Sequence, residues 1–135
     1  MNLSSNEITS LNFLANNTSL TDLTLSYNTR IKDFDALTSL IGLTDLNLSG
    51  TSITNLTALG SLTNLESLSL KGCRIGNWAA LPDFKKIESL SVSFIKKEDV
   101  ALFKAMPSLR FLHITNTEEN VIALMEKELP NVDVN

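Results

Sequence analysis

Along this chain, short segments of alternating apolar and polar residues are separated by stretches in which every third residue is apolar. The segments starting at Leu20, Leu43 and Leu65 read LTDLTL, LTDLNL and LESLSL, and those starting at Ile87 and Leu109 read IESLSV and LRFLHI. All five fit L-x-x-L-x-L with an aliphatic residue at each fixed place. Their fourth positions, Leu23, Leu46, Leu68, Leu90 and Leu112, lie 23, 22, 22 and 22 residues apart. A step of 22 back from Leu23 reaches Met1, so residues 1–3 read as the end of one more strand. At the far end, residues 129–134 (LPNVDV) read as a closing repeat with Val132 in the fourth position.

Alternation with period two gives a strand with one apolar face. Two inward aliphatics per strand cannot make a core alone, so successive coils must stack and bury them against one another. The result is one parallel sheet along one side of a right-handed solenoid. Seven strands at a spacing of about 4.8 Å predict a sheet roughly 29 Å long.

Between the strands the apolar period becomes three: Ile31, Phe34, Leu37, Leu40, Leu43; then Ile53, Leu56, Leu59, Leu62, Leu65; then Ile75, Trp78, Leu81, Phe84, Ile87. That spacing predicts 3₁₀ turns or extended segments. In the first coil the run Ile8, Leu11, Leu14, Leu20 is interrupted by Asn17. The last two coils differ. Val100, Leu102, Phe103 and Met106 predict a true helix stopped by Pro107. Thr117, followed by Glu118 and Glu119, predicts a capped second helix that turns Val121, Leu124 and Met125 inward before Pro130.

These residues resemble the leucine-rich-repeat family, specifically its 22-residue subclass. Residues 53–70, ITNLTALGSLTNLESLSL, are similar to the repeats of bacterial internalins, and regulatory subunits of eukaryotic protein phosphatases carry similar coils. The resemblance covers nearly the whole chain and implies a single α/β domain over residues 1–135: about five full repeats, a partial first repeat and a closing strand. It implies a parallel sheet on the concave face, 3₁₀ or extended convex segments in the early coils, and α-helices in the last two. It also implies that the ninth position of each repeat hydrogen-bonds the turn after the strand. Here that position holds Asn6, Asn28, Thr51, Cys73, Ile95 and Thr117. Asn, Thr and Cys are usual there; Ile95 is a departure that marks a change of coil type. Internalins begin with a secretion signal and a helical cap, and this sequence shows neither. The strand near Leu3 is then expected to be a bare edge. Two expectations follow from it: self-association through that edge, or origin as a segment of a larger surface or effector protein.

Apolar residues make up 43% and charged residues 19%, the balance of a folded domain. No apolar run approaches the roughly eighteen residues that span a bilayer, so no membrane insertion is expected. The family resemblance points to a bacterial surface or secreted setting. Fifteen acidic residues against eleven basic ones give a net charge of −4, which argues against nucleic acid as partner. Cys73, the lone cysteine, can form no internal disulfide and is expected to be a buried structural thiol. Trp78 is expected in the core. Nothing in the sequence points to a cofactor or a metal.

What remains is the outward face of the strands. Its third positions are Asp22, Asp45, Ser67, Ser89 and Phe111; its fifth are Thr24, Asn47, Ser69, Ser91 and His113; its eighth include Tyr27, Gly50, Gly72, Phe94 and Asn116. One end is acidic, the middle small and polar, and the far end aromatic. Exposed aromatics on a rigid sheet are good anchors for a partner protein. Phe94, Phe111 and His113 are therefore expected to carry affinity, with Asp22, Tyr27, Asp45 and Asn47 contributing. The bland alternatives are that Phe94 folds under a neighbouring loop or that the aromatics cover the end of the core. Asp22 and Asp45, about 5 Å apart on adjacent strands, could share a proton or hold a cation, but no apolar pocket accompanies them. A hydrolase built on that pair is the least favoured reading. A Ser-His-Asp arrangement would have to use His113, and Asp45 is three strands away. Asp133, one strand along, is the expected partner of His113 in a surface ion pair. The sequence therefore predicts a non-enzymatic module that binds a partner protein on its concave face.

Overall fold

The computed structural model describes residues 1–135. Six parallel strands lie side by side in sequence order: β1 (Asp22–Thr24), β2 (Asp45–Asn47), β3 (Ser67–Ser69), β4 (Ser89–Ser93), β5 (Phe111–Thr115) and β6 (Asp133–Val134). The register joins Leu23, Leu46, Leu68, Leu90 and Leu112 in one row, as the 22-residue step requires. Residues 1–5 extend this sheet without forming a full strand. Asn2 bridges Thr24, and the Leu3 and Ser5 amides donate to the carbonyls of Thr24 and Ser26 at 2.8 Å each. The expected seventh strand is thus a single bridged residue.

The closing strand departs from the expected register. Val134, not Val132, pairs with Leu112, and Asp133 pairs with Phe111. The coil keeps its step of 22 residues, which places polar Asn131 where the repeat would hold Leu. Leu129 and Val132 mimic a repeat two residues early.

On the convex side, 3₁₀ segments occupy Asn12–Leu14, Asp35–Ser39, Thr57–Leu59 and Leu81–Asp83, in the coils where the apolar period is three. The fifth coil has a 3₁₀ turn, Lys97–Asp99, running into α1 (Val100–Lys104), and the sixth has α2 (Glu119–Glu128). Thr117 does not cap α2. Glu118 holds the cap position without a side-chain bond, while the Thr117 hydroxyl donates to the Thr115 carbonyl and accepts from the Ile95 amide. It serves the turn after β5, the role that goes with its ninth position.

Strand and convex aliphatics meet in a single core that runs the length of the solenoid, with Trp78 and Phe103 as its largest fully buried side chains. Their ring centroids lie 6.1 Å apart. A polar ladder seals one side of it. Asn28, fully buried, donates to the carbonyls of Leu3 (2.8 Å) and Leu25 (2.9 Å), and its Oδ1 accepts from the Ile8 amide. Thr51 and Cys73 both donate to the Leu48 carbonyl, at 2.7 and 3.1 Å. These bonds add a second donor to turn carbonyls: Leu25 and Leu48 also accept from the Asn28 and Thr51 amides, at 3.3 and 3.1 Å, and Leu3 also accepts from the Asn6 side chain at 3.0 Å.

A second polar column is Ser10, Asp33, Asn55 and Asn77. Each side-chain oxygen accepts from the amide two residues on, at 3.3, 2.8, 3.0 and 2.8 Å, and so opens the turn into the convex segment. The same period of 23 and 22 residues ran through the sequence unrecognised, because apolar positions alone define the repeat signature.

Candidate functional site

The strand positions that alternate away from the core form two columns on the open face of the sheet. Asp22, Asp45, Ser67, Ser89, Phe111 and Asp133 stand side by side in register, as do Thr24, Asn47, Ser69, Ser91 and His113. At the N-terminal end both Asp22 and Asp45 are exposed. The preceding residue steadies each carboxylate: Thr21 Oγ1 donates to Asp22 at 2.6 Å and Thr44 Oγ1 to Asp45 at 2.9 Å. The hollow around this pair is shallow and lined by Thr24, Asn47, Ser67 and Ser69. Asn47 is half-buried, and its Oδ1 accepts from the Ser49 amide at 3.0 Å, so part of its polarity is spent on its own turn.

At the other end Phe111 is 52% exposed, the largest apolar group on the sheet face. His113 is half-buried beside it. Its Nδ1 lies 2.7 Å from Asn135 Oδ1, and Asp133 is not its partner. The two-residue shift in the closing strand explains the difference, since it moves Asp133 into the third column opposite Phe111. With His113 on β5 and Asp45 on β2, no Ser-His-Asp geometry forms. Nor does any group of three His, Cys, Asp or Glu side chains come together to hold a metal ion.

Tyr27 and Phe94 are not on the sheet face. They lie beyond the strands, in the turns that carry the chain out of the sheet. There all six eighth positions adopt the left-handed conformation: Ser5 (φ 54°), Tyr27 (59°), Gly50 (66°), Gly72 (77°), Phe94 (58°) and Asn116 (50°). The eighth column is thus a rim, separate from the concave face. Tyr27 is 60% exposed, whereas Phe94 is half-buried, with the Arg74 guanidinium carbon 4.3 Å from its ring centroid. The cation stack is the main feature missed in the sequence. Its signal was available, because Arg74 follows by two residues the Gly72 that stands 22 before Phe94.

Cys73 is fully buried, and desolvation pushes its thiol above the ordinary value against the lowering effect of bonds with Thr51 and Gly50. A protonated thiol donating to a carbonyl is a structural group and a poor nucleophile.

Residues 41–83 match the family model described as Leucine Rich repeats (2 copies). The whole-chain fold agrees with solved structures of the same kind. An internalin C2 (inlC2) of Listeria monocytogenes superposes with a TM-score of 0.81 at 25% identity, over 99% of this chain and 59% of its own. The chain has the fold of a leucine-rich-repeat solenoid. An internalin (inlF) of the same organism gives 0.78 at 21% identity over 99% of this chain and 46% of its own. A leucine-rich-repeat protein of Leptospira interrogans gives 0.63 at 20% identity over 87% of this chain and 37% of its own. The solenoid therefore spans about half the length of the solved proteins it matches. No curated protein matches it by sequence.

Proposed function

We propose that this leucine-rich-repeat solenoid is a protein-binding module that presents its concave sheet face, with affinity concentrated around Phe111 and His113. One observation carries the reading: Phe111, an aromatic side chain half open to solvent, stands on a face whose central positions are serines. Small neighbours leave the ring accessible from above, and a rigid parallel sheet holds it with little entropy left to lose on binding. Asp22 and Asp45 add an acidic patch at the opposite end of the same column, suited to a basic group on the partner. The internalin-type fold supports a binding role over a catalytic one, and the shallow hollow at the aspartates offers no enclosure for chemistry.

The test is capture of partner proteins by wild type, Phe111→Ala and Ser89→Arg. Phe111→Ala should weaken capture about tenfold or more, the loss typical of an interface anchor, while the circular-dichroism spectrum stays unchanged. Ser89→Arg should block the centre of the face sterically. A partner held equally by all three proteins would move the site off the concave sheet.

A further inference from the structure

A row of carboxylates crosses the strands where they enter the sheet. Asp22 and Asp45 pair in register on β1 and β2, and Glu66 and Glu88 continue the row immediately before β3 and β4. The backbone explains how residues of two neighbouring columns form one row. The Thr44 and Asp45 amides both donate to the Thr21 carbonyl, those of Glu66 and Ser67 to Thr44, and those of Glu88 and Ser89 to Glu66. Two residues of each strand thus face one of the strand before, a bulge repeated coil after coil. The two side chains of a bulge lie together, as the bond from Thr44 Oγ1 to the Asp45 carboxylate shows. All four carboxylates are exposed. The ion pairs of the chain, Arg30–Glu7 and Lys104–Glu128, lie elsewhere, so the row is unpaired. The Met1 ammonium bonds the Asp22 carbonyl, not its side chain, and Lys86 bonds Asn64. Arg110, one coil past Glu88, pairs with none of the four.

A hollow of about 250 Å³ opens at Asp22 and Asp45, with Thr24, Asn47, Ser67 and Ser69 around it. Thr21 and Thr44 each donate to Oδ2 of the aspartate that follows, which leaves both Oδ1 atoms without a donor. Two steadied carboxylates about 5 Å apart suit the planar fork of a guanidinium, which bonds both at once, better than the point charge of an ammonium. Three to four strand steps, about 14–19 Å, separate the hollow from Phe111, the reach of about five residues of extended chain. We propose that the concave face takes a basic, extended segment of a partner protein, with an arginine in the hollow and an apolar residue on Phe111. This occupant rests on the concave-face reading above and names its chemistry. Further cations of the segment lie over Glu66 and Glu88, and the serines between leave room for its backbone. Charge selects among occupants. A second copy of this chain carries a net −4, and nucleic acid or an anionic membrane carries phosphate, so the row repels all three.

The probe is the peptide acetyl-RSKSKW-amide, titrated into the ¹⁵N-labelled chain and followed by amide shifts. The comparisons are acetyl-KSKSKW-amide, acetyl-ESESEW-amide and spermine. Saturable shifts centred on Asp22, Asp45, Ser67 and Phe111 are expected with the arginine peptide, about threefold weaker binding with the lysine peptide, and none with the glutamate peptide. Asp22→Asn combined with Asp45→Asn keeps an acceptor for each threonine hydroxyl and should weaken the arginine peptide about tenfold, with an unchanged circular-dichroism spectrum. Phe111→Ala should weaken it by a similar factor. No shift at these amides, equal binding of the glutamate peptide, or indifference to the double aspartate change would each overturn the basic occupant. Equal binding of the lysine peptide would overturn the arginine seat, and spermine binding as tightly as the arginine peptide would overturn a protein segment as its source. Partner capture weakened by Phe111→Ala but not by the double aspartate change would keep the concave-face reading and overturn this occupant. Capture indifferent to both would remove the concave-face reading as well.

Discussion

Cys73 Sγ and Thr51 Oγ1 donate to one and the same oxygen, the Leu48 carbonyl, from successive coils. Burial raises the pKa of the thiol, so the folded state holds its proton more tightly than the unfolded state does. Stability gained from the protonated thiol is complete below the unfolded thiol's pKa and declines as pH rises past it, from about pH 9 upward. Cys73→Thr keeps a donor of similar size and removes the titration. Its unfolding free energy should fall less than that of wild type between pH 8 and 10, as read from urea melts. In the native wild type, iodoacetamide should label Cys73 far more slowly than in urea.

Asn28 joins three backbone groups on two coils, and its side chain is fully buried. Asn28→Ala takes the Ile8 amide's acceptor and one of two donors from each of the Leu3 and Leu25 carbonyls, and should cost about 1–3 kcal/mol. Asn6, exposed and bonded within its own turn to Leu3 and Ser4, should cost under about 1 kcal/mol on the same change. Equal shifts of the urea midpoint for the two variants would refute the ladder's energetic role.

Gly50 and Gly72 share the left-handed backbone but differ in what stands over them. Gly72→Ala should lose about 1 kcal/mol from its positive φ alone. Gly50→Ala meets the Tyr27 ring as well and should lose more, and Tyr27→Ser in the same chain should recover the difference. A double-mutant cycle in urea measures that coupling.

The indole N–H of Trp78 is buried without a hydrogen-bond partner, while its ring packs against Phe103. Trp78→Phe removes an unsatisfied donor along with some apolar contact, so the two effects oppose each other and the net cost should stay within about 1.5 kcal/mol. Trp78→Ala should cost about 3–5 kcal/mol through the cavity it leaves. Thermal melts of the two variants decide this.

Lys104 and Glu128 tie α1 to α2 with an ion pair of 3.1 Å, but the lysine side chain is 62% exposed. Lys104→Ala should therefore change stability by no more than about 0.5 kcal/mol, an effect that vanishes in high salt.

The five central strands, the 3₁₀ segments and the two late helices were legible because each rests on apolar periodicity, and burial enforces that period at every coil. The closing strand was not. Leu129 and Val132 offered an apolar match two residues ahead of the true register, and only the stacking of Val134 on Leu112 decides between them. Thr117 satisfied the local pattern of a helix cap while its ninth-position duty claimed the hydroxyl. The outward columns at Asp22, Asp45, Asn47, Phe111 and His113 followed directly from strand alternation. Tyr27 and Phe94 lie past the ends of β1 and β4, where alternation stops and the backbone is left-handed, so strand alternation does not place them. The pairing of Arg74 with Phe94 depends on a coil step minus two residues, a diagonal that no single-coil pattern displays.

The Asn, Thr and Cys ladder has a consequence for how the molecule comes apart. Its bonds, like those of the sheet, join each coil only to its neighbours, so no residue at one end supports one at the other. Loss of structure should travel as a front, as a zipper opens from its ends, with the amides of residues 1–8 and 129–135 exchanging with solvent well before those near Leu68. Ile95 joins the ladder only through its backbone amide, so such a front would next give way there.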